Sequence, residues 1–494
     1  MKNYKNFIPL IGAKVDPVIY GVHPLSINKV DGGTVFMAEE NGETLIIAVG
    51  KTWDFTGVAF EVDGKQCVAA PTTHANAQVL RKLFPFTAPI RVLHKDRTIG
   101  VGDRLGVATP GHIRVFQKYD AYPIFAQQSI RELNLTQRTY ADVLDAATFA
   151  VYRDGYRKGF GADGDHLKTP AEVEMALKLG YTMITLDCSE HMHNEFEAMP
   201  LAELEKKYIA KPELEKKYIG KTFELEEGVA ITFDAESFKR MAMVYGEVLD
   251  FATSMYQQFF TDGTYNADFE ISIDETTTPT TPLQHFFIAN ELTLRGVKVA
   301  TLAPRFCGEF QKGVDYIGDI QQFEAELRVH AAIARHFGYK LSLHSGSDKF
   351  MVFSIFGKLT KGRFHVKTAG TNWLEAMKLV AMVDPDLYRE IHAFALSKFD
   401  EVTQYYHVTT DITRIPEVST LADKDLVKLF NHNDARQLIH ITYGPILSTK
   451  NADGEYLFKD RLYRLWKEYE EQYANLLFVH IGRHCEKLYR NIKG

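Results

Sequence analysis

From residue 98 to residue 371 the chain repeats one pattern, a short apolar run followed by a longer stretch in which apolar residues recur every three or four positions. The short runs are TIGVGDRLG (98–106), PIFAQQS (123–129), GFGADGDHLK (159–168), TMITLDCSEH (182–191), FEISIDETTT (269–278), KVATLAPRF (298–306), KLSLHSGSD (340–348) and RFHVKTAGT (363–371). Each suits a β-strand and its following turn. The stretches between them, such as AEVEMALKLG, PLQHFFIANELTLRG and FEAELRVHAAIARHFG, have helical spacing and end on glycine, which readily takes the left-handed conformation that closes a helix. Eight strand–helix units in one run predict an α/β fold, a closed (β/α)8 barrel of the TIM type over residues 96–384. An open doubly wound sheet is a poorer match. No GxGxxG string stands at a first strand–helix turn, so a nicotinamide cofactor is not expected.

The flanks read differently. Residues 1–95 form a β-rich region, in which GGTVFMAEENGETLIIAV and VAFEVDGKQCVAA turn at Asn41-Gly42 and Asp63-Gly64. Residues 385–494 carry helical spacing and are expected to form a helical extension packed on the barrel. Within the barrel, an insert at 192–236 repeats ELEKKYI at 203–209 and 213–219. Its abundance of Glu and Lys predicts a solvated surface excursion.

Composition narrows the function classes. With 45% hydrophobic and 24% charged residues the 494-residue chain can bury a full core, and its net charge of -7 offers no basic stripe for nucleic acid. Its four cysteines lie far apart with no CxxC pair, as expected of a reducing compartment. No apolar stretch is long enough to span a membrane and the N-terminal apolar run is short for a signal peptide, so a cytoplasmic protein without a membrane partner is expected. The expected partner is a small molecule, and a homo-oligomer is compatible with the sequence.

The working face of such a barrel is the C-terminal end of its strands, and here that end is polar. The third run closes on Asp163, Asp165, His166 and Lys168, the fourth on Asp187 and His191, and the fifth on Asp274 and Glu275. The sixth ends in Arg305, the seventh in His344, Ser345, Ser347, Asp348 and Lys349, and the eighth in His365, Lys367 and Thr368. Strand alternation orients them. If Ile271 and Ile273 face the helices, then Glu270, Ser272 and Asp274 point inward, and the same parity turns Ser342, His344, His365, Lys367, Thr185 and Asp187 to the axis. Carboxylates and imidazoles without a thiolate cluster suit a divalent cation on mixed nitrogen and oxygen ligands. His166 and His344 are the expected ligands, the alternative for each being an imidazole that only bonds a neighbour. His365 stands between those readings, and His440, outside the barrel units, reads as structural. Arg305, Lys349 and Lys367 are candidate clamps on a substrate carboxylate, or else partners of the surrounding acids.

The strings GVGDRLGVATPGH, FGADGDHLKT, LAPRFCGEFQKGVDYIGD, LSLHSGSDKF and FHVKTAGTNWLEA, in this order, resemble the tagaturonate epimerase family over nearly the whole chain. The resemblance implies a metal-dependent barrel enzyme of hexuronate catabolism that interconverts D-tagaturonate and D-fructuronate. It also implies Asp165 as base and Glu270 as partner acid, with His166 and His344 binding a divalent cation (Zn, Mn, Fe, Co or Ni). The third ligand falls in the loop after the sixth strand, where Gln311 is taken ahead of Glu309. The inverted carbon lies β to the ketone, so its hydrogen is not acidified, and retro-aldol cleavage with re-addition is the expected route. An aldolase of the class II type acting on a keto-sugar acid, or an epimerase of neutral ketoses such as fructose and tagatose, would use similar groups.

Overall fold

The computed structural model describes residues 5–7, 21–274, 276 and 278–492, with the backbone alone at Thr371. The N-terminal region is an antiparallel sheet of β1 (Asn28–Val30), β2 (Gly33–Glu40), β3 (Glu43–Gly50), β4 (Val58–Val62) and β5 (Lys65–Pro71), in the order β1-β2-β3-β5-β4. Its hairpins turn where the sequence places them: Asn41 and Asp63 take φ of 51°, each followed by a glycine at positive φ. Both faces are covered. Phe36, Leu45 and Ile47 pack on one side, while Val35, Met37 and Ile46 meet Leu80, Phe84 and Tyr152 on the other.

Eight parallel strands then close into a barrel: β6 (Arg97–Gly100), β7 (Tyr122–Ser129), β8 (Gly161–Leu167), β9 (Met183–Asp187), β12 (Asp268–Ile273), β13 (Thr301–Pro304), β14 (Lys340–Leu343) and β15 (Phe364–Lys367). All eight lie inside or within a residue of the runs read from the sequence. Apart from β7, the observed strands are shorter because the polar ends of those runs are the loops that carry the site. The crossover helices begin and end as their sequences specify. Thr169 and Glu172 form a capping box ahead of helix Pro170–Leu179, Thr281 and Gln284 do the same for helix Pro282–Leu294, and Gly180 and Gly338 close two helices in the left-handed region.

The insert between β9 and β12 departs from expectation. Its two ELEKKYI copies form helices Leu201–Lys207 and Pro212–Tyr218, followed by a hairpin of β10 (Thr222–Glu224) and β11 (Ala230–Thr232). The copies have different fates. Ile209 of the first is 80% exposed and its Tyr208 only half-buried, whereas Ile219 of the second is half-buried and its Tyr218 buried, with the hydroxyl 2.7 Å from Glu291 and 2.6 Å from Asn290 on a barrel helix. Leu225, Ile231 and Phe233 join the same core, so the second half of the insert is docked structure and not a solvated excursion.

After the barrel come helices, from Pro385–Val402 to Glu470–Tyr489, around a second core centred on Trp373 and Trp466. The last helix lies against barrel helix Phe350–Leu359, where Gly357 permits close approach: a Cβ there would fall 1.9 Å from the carbonyl oxygen of Leu488. Among the described residues no helix is long and apolar enough to cross a membrane.

Candidate active site

The register of the barrel brings its polar inward residues to one level. β12 pairs Glu270 with Thr185 on β9, β7 pairs Gln127 with Asp163 and Ser129 with Asp165 on β8, and β15 pairs Lys367 with Gly100 on β6. The result is a knot around the Lys367 ammonium. Its Nζ lies 2.7 Å from Asp165 Oδ1, 2.7 Å from Glu270 Oε1, 2.9 Å from Asp163 Oδ2 and 2.5 Å from Thr185 Oγ1, all of them buried groups. One ammonium cannot neutralise three carboxylates in a medium with little water. Burial, joined by repulsion from Asp165 and Glu270, pushes Asp163 up to about 7 against the pull of Lys367. For Asp165 burial acts upward too, but Lys367 and then His166 and His344 outweigh it and bring the carboxyl down to about 2. Glu270 is likewise held well below the usual carboxylate range, its burial overcome by Lys367 and His344.

Beside this knot stands a second group. His344 places Nε2 2.8 Å from Glu270 Oε1 and Nδ1 3.2 Å from Asp274 Oδ1, and its ring packs edge-on against His166 with centroids 5.1 Å apart. One possible ligand atom from each of His166, Asp274 and His344 falls within 4.8 Å of the others. Two imidazoles and a carboxylate at this spacing are a donor set that fits a divalent cation. The local backbone is held under strain to do this, with His166 at φ 53° and Ser345 at φ 48°. Both groups border a hollow of about 70 Å³, which adjoins an outer vestibule of about 280 Å³ reaching Arg305, Glu309 and His407.

A model of the tagaturonate epimerase family matches residues 23–488. The chain belongs to the tagaturonate epimerase family. It is 42% identical over 477 residues to a protein of Thermotoga maritima named tagaturonate/fructuronate epimerase, with 95% of this chain and 97% of that one covered. Among solved structures it resembles native fructuronate-tagaturonate epimerase from Cohnella laeviribosi, at 47% identity and a TM-score of 0.92 over 98% of each chain. A glycerol complex of the Cohnella enzyme matches at 48% identity and a TM-score of 0.91, over 95% of this chain and 96% of that one.

Against this family frame, Asp165, Glu270, His166, His344 and Lys367 come together as one site, while the other expected residues stand differently. Gln311 borders the hollow, but its Oε1 accepts from Thr409 N at 3.0 Å, Thr409 Oγ1 at 3.0 Å and Gln437 Nε2 at 3.1 Å, so the nitrogen end of the amide is the end left for the cavity. Asp274 is the carboxylate whose oxygen converges with His166 and His344. Lys349 is buried with Nζ 2.9, 2.6 and 3.0 Å from the carbonyl oxygens of Gln311, Val314 and Ser347, which takes all three ammonium hydrogens and ties two loops of the mouth together. Burial pushes its pKa down to about 7. Arg305 sits in the vestibule wall, bonded to the carbonyl of Thr276 and 3.7 Å from Glu309.

His365 lies deeper in the barrel, 2.9 Å from Thr98 Oγ1, and burial pushes it down to about 3. His440 is buried beside Arg104, 3.5 Å from its Nη1. Glu275 lies outside the described residues. Asp348, His480 and His484 also offer three donors, yet they are engaged with one another: Asp348 binds Arg436 at 2.6 Å and His480 at 2.5 Å, and His480 reaches Glu375 at 3.0 Å.

Two features escaped sequence reasoning. Asp163 could not be oriented by apolar parity, because GADGDHL has almost no apolar residues to set it; the signal was the spacing of Asp163 and Asp165 at i and i+2. Gln127 lies beyond a β-bulge between Ile124 and Ala126, which resets the inward side of β7.

Proposed function

We propose that this chain interconverts tagaturonate and fructuronate, inverting the carbon β to the ketone by breaking and re-forming the carbon–carbon bond beside it. The observation that carries this reading is the Lys367 knot, in which Asp165, bordering the hollow, and Glu270, buried behind it, each lie 2.7 Å from one ammonium. The ketone does not acidify the hydrogen on the inverted carbon, so exchange of that hydrogen is not the route. Cleavage needs a base for the hydroxyl proton on that carbon, and an acid to return a proton once the aldehyde has turned its other face. Asp165 takes the proton, and Glu270, ionised at rest, returns one only after receiving it through Lys367. Lys367, touching both, joins them in a single hydrogen-bonded path along which their protonation is reset.

A divalent cation on His166, Asp274 and His344 would supply Lewis-acid polarisation of the ketone and its neighbouring hydroxyl. The Glu270–His344 contact orients that imidazole from behind, as the partners of ligating histidines do. Arg305 and Lys312, which line the vestibule, receive the substrate carboxylate. The test is to incubate the metal-reconstituted protein with tagaturonate and analyse the sugars. Fructuronate without free three-carbon fragments is expected; fragments alone would make it an aldolase, and no conversion would end the reading.

A further inference from the structure

Resting on that reading, we propose that Gln127 hydrogen-bonds a hydroxyl group of the polyhydroxy acid substrate and is a specificity-determining residue of the site. Gln127 stands on β7 with 1% of its surface exposed, and it borders the hollow next to Asp165, His166 and Lys367. Neither its Oε1 nor its Nε2 has a hydrogen-bond partner among the described residues.

A buried amide with both ends unpaired is unfavourable for the fold, and a leucine of similar size would serve a purely structural role better. The backbone is nevertheless arranged to hold it there. The β-bulge between Ile124 and Ala126 turns Gln127 to the axis, in register with Asp163. Gly100, the inward residue beside it on β6, leaves the space: a Cβ at that position would fall 2.3 Å from Gln127 Oε1. Gln128, one residue on, also lacks partners but does not line the hollow. In the same hollow the amide nitrogen of Gln311 is buried without a partner among the described residues, so the hollow offers neutral hydrogen-bonding groups as well as charged ones. A hydroxyl both donates and accepts, which is what an unmet amide needs from a ligand. A site built to bond a hydroxyl rejects the analogue that lacks it, because its own polar group is then left buried and unpaired.

The test measures kcat/KM on tagaturonate and on analogues each lacking one hydroxyl, for the wild type, Gln127→Leu and Gly100→Ala, with a thermal melt of each. Gln127→Leu is expected to lose about ten- to hundred-fold on tagaturonate. It should lose nothing further on the one analogue that lacks the bonded hydroxyl, and its Tm should equal or exceed that of the wild type. Gly100→Ala, which crowds the amide without removing it, should show the same selective loss. Equal losses on every analogue, no loss on tagaturonate, or a lowered Tm for Gln127→Leu would each overturn the proposal. A wild-type protein that converts none of these sugars would instead remove the functional reading, and this inference with it.

Discussion

Replacing Lys367 by Met tests the electrostatic heart of the site, since it removes the one ammonium that Asp163, Asp165 and Glu270 share while keeping most of the side-chain volume. Breaking a buried ion pair by deleting one partner costs about 3–5 kcal/mol. Unfolding entropy of about 2.1 cal/mol/K per residue makes that a fall in Tm of roughly 3–5 °C for a chain of this length, provided it unfolds cooperatively. The sign with pH follows from the acids. Asp165 and Glu270 have folded pKa values below their ordinary ones, so they stabilise the fold above the carboxylate range and lose that contribution as pH falls toward about 2 for Asp165. The Tm gap between wild type and Lys367→Met should therefore be widest near neutral pH and should close as pH drops below the ordinary carboxylate range. In the variant the carboxyl pKa values rise, so the acid limb of kcat/KM moves to higher pH. Differential scanning calorimetry across pH, paired with pH–rate profiles, checks both. A Tm gap that is absent or independent of pH, together with an unmoved acid limb, would refute the shared-charge argument.

Chelation of the protein should abolish turnover, and His166→Ala, Asp274→Asn and His344→Ala should each lower bound divalent metal measured by elemental analysis, along with the rate. Gln311→Met, by contrast, should leave metal content near that of the wild type. Asp165→Asn and Glu270→Gln should keep the metal and lose at least about a hundred-fold in turnover, read by coupled assay of fructuronate; near wild-type rates would remove that residue from its role.

The barrel was legible because strand–helix alternation and glycine stops are local signals, and the C-terminal strand ends could be named from them. Parity read from Ile271, Leu343 and Val366 oriented Glu270, His344 and Lys367, since each of those strands has apolar residues on its outer side. Parity failed on β8 and β7, one too poor in apolar residues and the other shifted by a bulge. The sequence also could not say how a polar side chain is already engaged. Gln311 and Lys349 are at the mouth as expected, yet the amide oxygen of the first is held by Thr409 and Gln437, and the ammonium of the second by three carbonyls, through contacts made across loops far apart in the chain. The duplicated ELEKKYI shows the same limit. In two identical strings Tyr218 is buried against Asn290 and Glu291, while its counterpart Tyr208 is half-buried and bonds Glu215.

In the proposed reaction the carbon–carbon bond beside the inverted carbon breaks while the hydrogen on that carbon stays in place. Tagaturonate carrying deuterium there, converted by the metal-reconstituted protein and analysed by mass spectrometry and NMR, tests it directly. Fructuronate with the deuterium fully retained and no primary isotope effect on the rate is expected, whereas loss of the label to water, or a primary isotope effect from its transfer as hydride, would contradict cleavage of that bond.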